Sequence, residues 1–330
     1  MKSENQTLNP EFNFQPFTTI PEMKWLIFWT FLILYVLCLL GNGPIVFIIY
    51  TVSSLHNPMY FFLANLAFLE IAHSSIIAPF ALATLASVRK IYVSLGGCGT
   101  QLVIFTFLGG ADCILLAIMA YDRCVAICRP LNYPLIMTWR MCVSLVIGTW
   151  AMSGFLSVQL CPFILTLTFC GNRMEISNFF CDLPALVKVA CGNTDFQECA
   201  LYILSIIYLT VPFILICISY VFIAVAIIRI PSALGRQRAF STCSSHIMVV
   251  LIQFSCTSLI YLCPVSCLTA TQVRVVSVFF TFFTPVLNPL IYSLRNKELK
   301  EAMSRSLRRI MLSQKKSDNL INKGEKTCQL

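Results

Sequence analysis

The sequence predicts an all-α membrane protein: a seven-transmembrane helix bundle followed by a short amphipathic cytoplasmic helix. Hydrophobic residues make up 58% of the 330-residue chain and charged residues only 11%, with a mean hydropathy of +0.81, a composition that cannot clothe a water-soluble surface. The apolar residues fall into stretches near the ~20 residues that a helix needs to cross ~30 Å of hydrocarbon, most of them bounded by Pro, Gly or basic residues. Alternation with period two is absent, which argues against a closed β-barrel, the other architecture that satisfies its backbone in lipid.

The expected spans are Trp25 to Tyr50, Pro58 to Ser87, Gly97 to Ile127, Met141 to Phe163, Cys199 to Ile228, Phe240 to Cys263 and Val275 to Leu294, with ends good to about 2 to 4 residues. Seven crossings put the termini on opposite sides. The chain thus divides into an N-terminal extracellular segment (1–24), the bundle (25–294) and a cytoplasmic amphipathic helix with a disordered tail (295–330).

Cytoplasmic loops are enriched in Lys and Arg. Arg123, Arg129, Arg140, Arg229, Arg236, Arg238, Arg295, Lys297 and the basic residues of the tail fall on one side, against Lys2, Lys24, Arg89, Lys90, Arg173, Lys188 and Arg274 on the other. The sum places the N-terminus outside. The first span alone argues the opposite, because Lys24 precedes it and no basic residue lies between Thr51 and Pro58. The sequon Asn5-Gln6-Thr7, a glycosylation acceptor only in the lumen, agrees with the sum. The first dozen residues are too polar for the core of a cleaved signal peptide, so the first span is expected to act as an uncleaved anchor. The net charge of +9 suits anionic membrane lipid of the inner leaflet; no nucleic acid is expected, since the basic residues sit beside spans without aromatic interleaving.

Most of the 17 cysteines fall inside spans, where Cys is a small apolar residue. Cys170, Cys181 and Cys191 lie in the long loop between spans four and five, and Cys98 begins span three on the same oxidising side. We expect Cys98 to pair with Cys181, tying the loop across the mouth of helix three, and Cys170 with Cys191, closing a loop within the loop. Four cysteines admit three pairings that sequence does not decide, and free thiols are the alternative. Cys199, a competing partner, is assigned to helix five. Cys124 with Cys128, and Cys263 with Cys267, stand one helical turn apart, but no His joins either pair at ligand spacing, so zinc is not expected.

Ionisable residues inside a span are costly and usually face the bundle interior. Glu70 and Asp112 both fall about 16 to 18 Å from the cytoplasmic end at 1.5 Å per residue, and Asn42 and Asn288 lie at broadly similar depths as amide partners. These residues suggest a small polar cavity holding a sodium ion, or a proton shared between two acids that cannot both stay ionised unaided. Separate hydrogen bonding of each acid, with no ion, is the alternative. No other cofactor is expected. His73, one turn beyond Glu70, reads as an interior hydrogen-bonded residue. Asp122-Arg123, an adjacent pair at the cytoplasmic end of span three, reads either as interfacial snorkelling or as a lock released when helices shift.

The residues around that pair, Met119-Ala120-Tyr121-Asp122-Arg123-Cys124-Val125-Ala126-Ile127-Cys128, resemble the signature of odorant receptors, a branch of the rhodopsin-like G-protein-coupled receptors. Further matches follow in order: Gly41-Asn42, LHNPMYFFLANLAFLE from Leu55 to Glu70, Trp150, Ser219-Tyr220, RAFSTCSSH from Arg238 to His246, and PVLNPLIYSLRN from Pro285 to Asn296. One such match is weak; this many, in order and on the right spans, are specific. The resemblance covers the chain from the first span to the segment after the seventh. It implies a multi-pass plasma-membrane receptor, not an enzyme, that binds a small, mostly apolar odorant and activates a heterotrimeric stimulatory olfactory G protein, raising cyclic AMP. It also implies that Asp122 and Arg123 form a resting lock, that Tyr220 and Tyr292 move toward Arg123 on activation, and that Asn288-Pro289 lets helix seven rearrange, a static kink being the alternative.

Three residues depart from the family pattern. Cys124 stands for a tyrosine, Arg238 for a lysine, and Phe254 for a tyrosine in the middle of span six, removing a hydrogen-bonding group from the expected floor of the pocket.

That pocket is expected between spans three, five, six and seven in the outer half of the bundle. Helical periodicity nominates Phe105, Thr106, Gly109 and Cys113 on span three, with Leu204, Ser205 and Tyr208 on span five, Phe254, Thr257, Ser258 and Tyr261 on span six, and Val278 and Thr281 on span seven. The wall is apolar with a few hydroxyls and no acid to grip an amine. After Leu294, the residues Leu299, Met303, Leu307 and Met311 form one stripe with basic flanks, a helix lying on the membrane surface. A transporter would also use intramembrane acids, but the odd span number and the lack of an internal repeat oppose it. An enzyme is opposed by the absence of HExxH and GxSxG and by three histidines without metal spacing.

Overall fold

The computed structural model describes residues 10–171, 173–263, 268–295 and 298–305. Among them, seven helices are long and apolar enough to cross a membrane: helix one (Pro21–Thr51), two (Pro58–Ala86), three (Leu95–Cys128), four (Trp139–Leu165), five (Asp195–Ile228), six (Ala233–Tyr261) and seven (Ala270–Tyr292). Asn5, Cys267 and the tail from 306 onward, with Leu307 and Met311, lie outside the described residues.

Polar caps decide where several helices begin. The side chains of Asn57, Ser94, Thr138 and Ser232 each accept a backbone N–H from the first turn of helices two, three, four and six, satisfying donors that have no intrahelical partner. Thr269 and Gln272 form a capping box at the start of helix seven. Helices six and seven therefore begin at Ala233 and Ala270, seven and five residues ahead of the expected Phe240 and Val275. Apolarity marks the hydrocarbon crossing, whereas the helix continues until its first N–H groups are capped.

Three prolines mark where helices four, five and seven deform, whereas Pro44 and Pro79 lie within unbroken helices one and two. A proline has no N–H to give the carbonyl four residues earlier. Pro162 thus deprives Val158, where helix four breaks between Trp139–Val158 and Leu160–Leu165. Pro212 and Pro285 deprive Tyr208 and Thr281, and both carbonyls fall in π-helical turns, Ile206–Thr210 and Phe279–Phe283. Each turn ends two residues before its proline and closes with a wider backbone bond, Val211 N–H to the Ile206 carbonyl and Thr284 N–H to that of Phe279.

Pro289 deprives the Pro285 carbonyl in the same way, and helix one supplies the missing donor: Asn42 Nδ2 lies 2.9 Å from that oxygen. The neighbouring Gly41 makes the approach feasible, since a Cβ there would come within 2.9 Å of the Pro289 ring. The Gly41-Asn42 pair thus fits the proline region of helix seven. Asn42 was expected to partner the buried acids; it serves helix one and helix seven instead, also bonding the Cys38 carbonyl at 3.1 Å.

Helix three is the most buried span and packs against helices two, four, five and six. Large apolar residues on the outside, such as Ile147, Phe155, Leu215, Ile218 and Phe222, are exposed to what would be lipid. Beyond helix seven, residues 298–305 are helical, with Leu299 and Ala302 buried and Met303 against the core. The Tyr60 hydroxyl donates to Glu298 at 2.9 Å, fastening this segment to helix two.

The N-terminal segment is not a plain extension. Its β1 strand (Glu11–Phe14) is the centre of a three-stranded sheet, antiparallel to β2 (Val93–Ser94) and parallel to β3 (Arg173–Ile176). Phe12 is fully buried beneath it, edge-on to Phe169 at 5.1 Å. Arg274 of helix seven donates to the Ser177 and Pro16 carbonyls and to Gln15 Oε1, holding the sheet over the bundle mouth.

Replacing Asn42 with Ala should leave the Pro285 carbonyl buried without a donor and destabilise the receptor by about 1 to 3 kcal/mol. Thermal unfolding of the purified protein would read this as a lowered midpoint.

Candidate ligand-binding site and switch

A cavity with about 80 Å³ of room for water-sized molecules opens beneath the sheet, between helices three, five, six and seven. Phe105, Thr106, Gly109 and Cys113 line it from helix three, Leu204, Ser205 and Tyr208 from helix five, and Thr257 and Tyr261 from helix six. Eight of these nine positions lie on regular α-helix, and Tyr208 lies in the π-helical turn Ile206–Thr210. Gly110, Leu209 and Phe280 complete the wall and were not nominated.

Four nominated residues do not line the cavity. Val278 and Thr281 are displaced by the π-helical turn at Phe279–Phe283, whose extra residue per turn brings Phe280 to the wall. Thr281 is fully buried elsewhere, its hydroxyl without a partner. Ser258 is half-buried off the wall. Phe254 is not the floor: it is buried in the main core, its ring 5.5 Å from Phe213. The departure from tyrosine therefore acts on the packing of helix five against helix six.

Gly110 is required by Tyr208. A Cβ at Gly110 would lie 2.2 Å from the Tyr208 ring, so only glycine lets that ring lie flat on helix three and its hydroxyl reach the Ser153 carbonyl at 2.9 Å. The π-helical turn in helix five adds Leu209 to the same wall.

The loop between helices four and five roofs the cavity. Cys98 is bonded to Cys181, and Cys170 to Cys191. The Cys181 N–H donates to Gln101 Oε1 at 2.9 Å, and Phe180 lies 4.9 Å from Phe105 of the wall. Asp182 is buried, and accepts a hydrogen bond from the Tyr261 hydroxyl at 3.2 Å. Burial, opposed in part by that bond, pushes the Asp182 carboxyl up to about 7. Lys90, 3.1 Å away at the exposed rim, holds Glu175 below the usual carboxylate range.

Below the cavity lie the two acids. Asn288 donates to Glu70 through its Nδ2, while Asp112 faces His73 Nδ1 at 3.9 Å. His73 itself is edge-on to the wall residues Phe105 and Phe280, at 4.7 and 5.2 Å. It links the cavity to the acid layer, a position that its lone occurrence in the sequence did not reveal.

At the opposite end, Arg123 and Asp122 are both buried. The Asp122 carboxylate accepts from the Tyr133 hydroxyl at 2.8 Å, a partner in the loop after helix three that was not nominated. Burial and the Asp122 charge push the Tyr133 hydroxyl well above its usual range, keeping it a donor. The charge of Arg123 reaches Asp122, Tyr220, His246 and Tyr292. Tyr220 is hydrogen-bonded to His246 at 2.9 Å, whereas the Tyr292 hydroxyl is buried without a partner. Cys124 and Cys128 face each other at 3.9 Å.

A seven-helix bundle with a roofed cavity at one end and an arginine set among helices three, five, six and seven at the other defines a rhodopsin-like receptor of the G-protein-coupled class. A sequence profile of the olfactory receptor family matches residues 31–310, and the chain belongs to that family. It is 55% identical to human olfactory receptor 10V1 over 94% of this chain and all of that one. It is 48% identical to human olfactory receptor 10Q1 over 91% of this chain and 93% of the relative, and 40% identical to human olfactory receptor 10AG1 over 91% and 99%. It is accordingly a receptor for odorants and not an enzyme.

Asp182 gives the roof a pH dependence. Its folded-state carboxyl titrates near 7, above the roughly 3.9 of an unfolded Asp. The folded state therefore holds the extra proton between these values, and stability falls as pH rises from about 4 to about 7. Asp182→Asn should flatten that slope, measured as the pH dependence of the unfolding midpoint; an unchanged slope would place its origin elsewhere.

Proposed function

We propose that this olfactory receptor lies in the plasma membrane with its N-terminus outside, takes a small, mostly apolar odorant into the roofed cavity, and activates a stimulatory olfactory-type G protein to raise cyclic AMP. The observation that carries this reading is the joint presence of that cavity and of the buried Arg123 with Tyr220 and Tyr292 in its field. Phe105, Leu204, Leu209 and Phe280 give the cavity hydrocarbon walls, and no carboxylate lines it. Ligand pressure on helix six would be felt through Tyr261, and helix six carries His246, the partner of Tyr220. In this reading Asp122, with Tyr133, restrains Arg123 at rest, and the Asn288-Pro289 region of helix seven supplies the give. The excess of Lys and Arg at the Arg123 end supports the orientation, and the Asn5 sequon agrees with it.

In a cyclic-AMP reporter screen, Arg123→Ala should abolish the response to every active odorant while surface expression persists. An N-terminal epitope should be accessible in intact cells. Exposure of the Arg123 end to the exterior would sink the reading.

We also propose that Glu70, Asp112 and Asn288 share a sodium ion or a proton. Asp112 Oδ1 and Asn288 Oδ1 are buried without hydrogen-bond partners, and such hard oxygens suit a small cation. No group of three or more His, Cys, Asp or Glu side chains placed to hold a metal occurs among the described residues, so a cation would depend on the amide as well. Odorant potency should depend on sodium concentration in the parent receptor and lose that dependence in Asp112→Asn; equal dependence in both would leave the proton alone.

A further inference from the structure

The hydroxyls of the cavity are oriented by the protein before any ligand arrives. Ser205 Oγ lies 2.7 Å from the Leu201 carbonyl, Thr257 Oγ1 2.8 Å from that of Gln253, and the Tyr208 hydroxyl 2.9 Å from that of Ser153. A carbonyl can only accept, so in each case the hydroxyl is the donor and its one hydrogen is committed. The Tyr261 hydroxyl is likewise turned to the Asp182 carboxylate. Four of the five hydroxyls on the wall therefore offer a ligand lone pairs and no hydrogen. Thr106 is the exception. It is half-buried on the same wall, and its hydroxyl makes no hydrogen bond among the described residues.

Resting on the proposed odorant site, we infer that the receptor selects neutral alcohols and phenols, with the committed oxygens of Ser205, Thr257 and Tyr208 as the specificity-determining acceptors and Thr106 as a donor open to any acceptor. A ligand O–H can donate to one of the committed hydroxyl oxygens and accept from Thr106. A ketone, ester or ether only accepts, so it can use Thr106 alone and otherwise meets the lone pairs of the four committed hydroxyls. Using Ser205, Thr257 or Tyr208 as a donor would mean breaking an internal bond. An ammonium or carboxylate can match some of the hydrogen bonds, but enters a cavity lined by no group of opposite charge.

The test uses the full-length purified receptor and sets of n-octanol, octanal, methyl heptyl ether and octylamine, with phenethyl alcohol, its methyl ether and phenylacetaldehyde as an aromatic series. Thermal stabilisation by ligand is read alongside the cyclic-AMP response. Within a skeleton, the alcohol should act at concentrations about ten- to a hundredfold lower than the ether or carbonyl compound. Thr106→Val should cost alcohol and ether alike about tenfold, whereas Ser205→Ala combined with Thr257→Val should cost the alcohol about tenfold more than the ether. Ethers or carbonyl compounds as potent as alcohols, an equal loss for alcohol and ether in Ser205→Ala combined with Thr257→Val, or no stabilisation by any alcohol would each overturn the inference. Stabilisation by alcohols in the expected order without any cyclic-AMP response would support it and sink the proposed coupling instead.

Discussion

A proline inside a membrane helix leaves one carbonyl without its donor, and hydrocarbon offers no water to take the donor's place. Much of this receptor is organised around that shortage. Pro162 ends the regular part of helix four, Pro212 and Pro285 rewind helices five and seven into π-helical turns, and Pro289 frees a carbonyl that Asn42 reaches from helix one. The two rewound segments form part of the cavity wall through Tyr208, Leu209 and Phe280. The shape of the ligand site is thus set in part by two missing N–H groups, each outside the wall itself.

The same rule accounts for the polar interior. The spans face lipid with apolar side chains, and several buried polar groups find their partners on a neighbouring helix. Ser153 illustrates the economy: its hydroxyl donates to the Phe107 carbonyl at 2.6 Å while its own carbonyl receives Tyr208, so one residue of helix four ties helices three and five together. Glu70 and Asn288 do the same between helices two and seven. Helix three collects these ties along its length, from the disulfide at Cys98 to Tyr133 on Asp122.

The architecture was legible because each crossing is written as a long apolar run, and the cavity because regular helices place residues three and four apart on one face. Phe105, Thr106, Gly109 and Cys113 were found that way, and so were Thr257 and Tyr261. Reading failed where periodicity failed. Val278 and Thr281 were assigned to the wall by a 3.6-residue turn that Pro285 does not allow, and Phe280 was missed for the same reason. The prolines were visible in the sequence, and counting four residues back from each would have flagged the rewound turns. Tyr133 on Asp122 and Asn42 on Pro285 carried no such mark, since their partners lie 11 and 243 residues away and are chosen by packing. The early starts of helices six and seven were legible in principle from Ser232 and Thr269, whose capping role depends on local hydrogen bonding and not on hydropathy.

The strand arrangement over the mouth has a consequence for biogenesis. β1 is the middle member of its sheet, and its longer partner lies 162 residues further along the chain. During synthesis at about 5 to 20 residues per second, the opening segment waits on the order of ten seconds for that partner to leave the ribosome. Four crossings separate the two strands, so the cover over the cavity is assembled only after half the bundle has been threaded into the bilayer. A nascent chain arrested before residue 173 would leave the face of Phe12 that β3 and Phe169 cover without its partners, an exposed surface by which quality control could recognise an unfinished receptor.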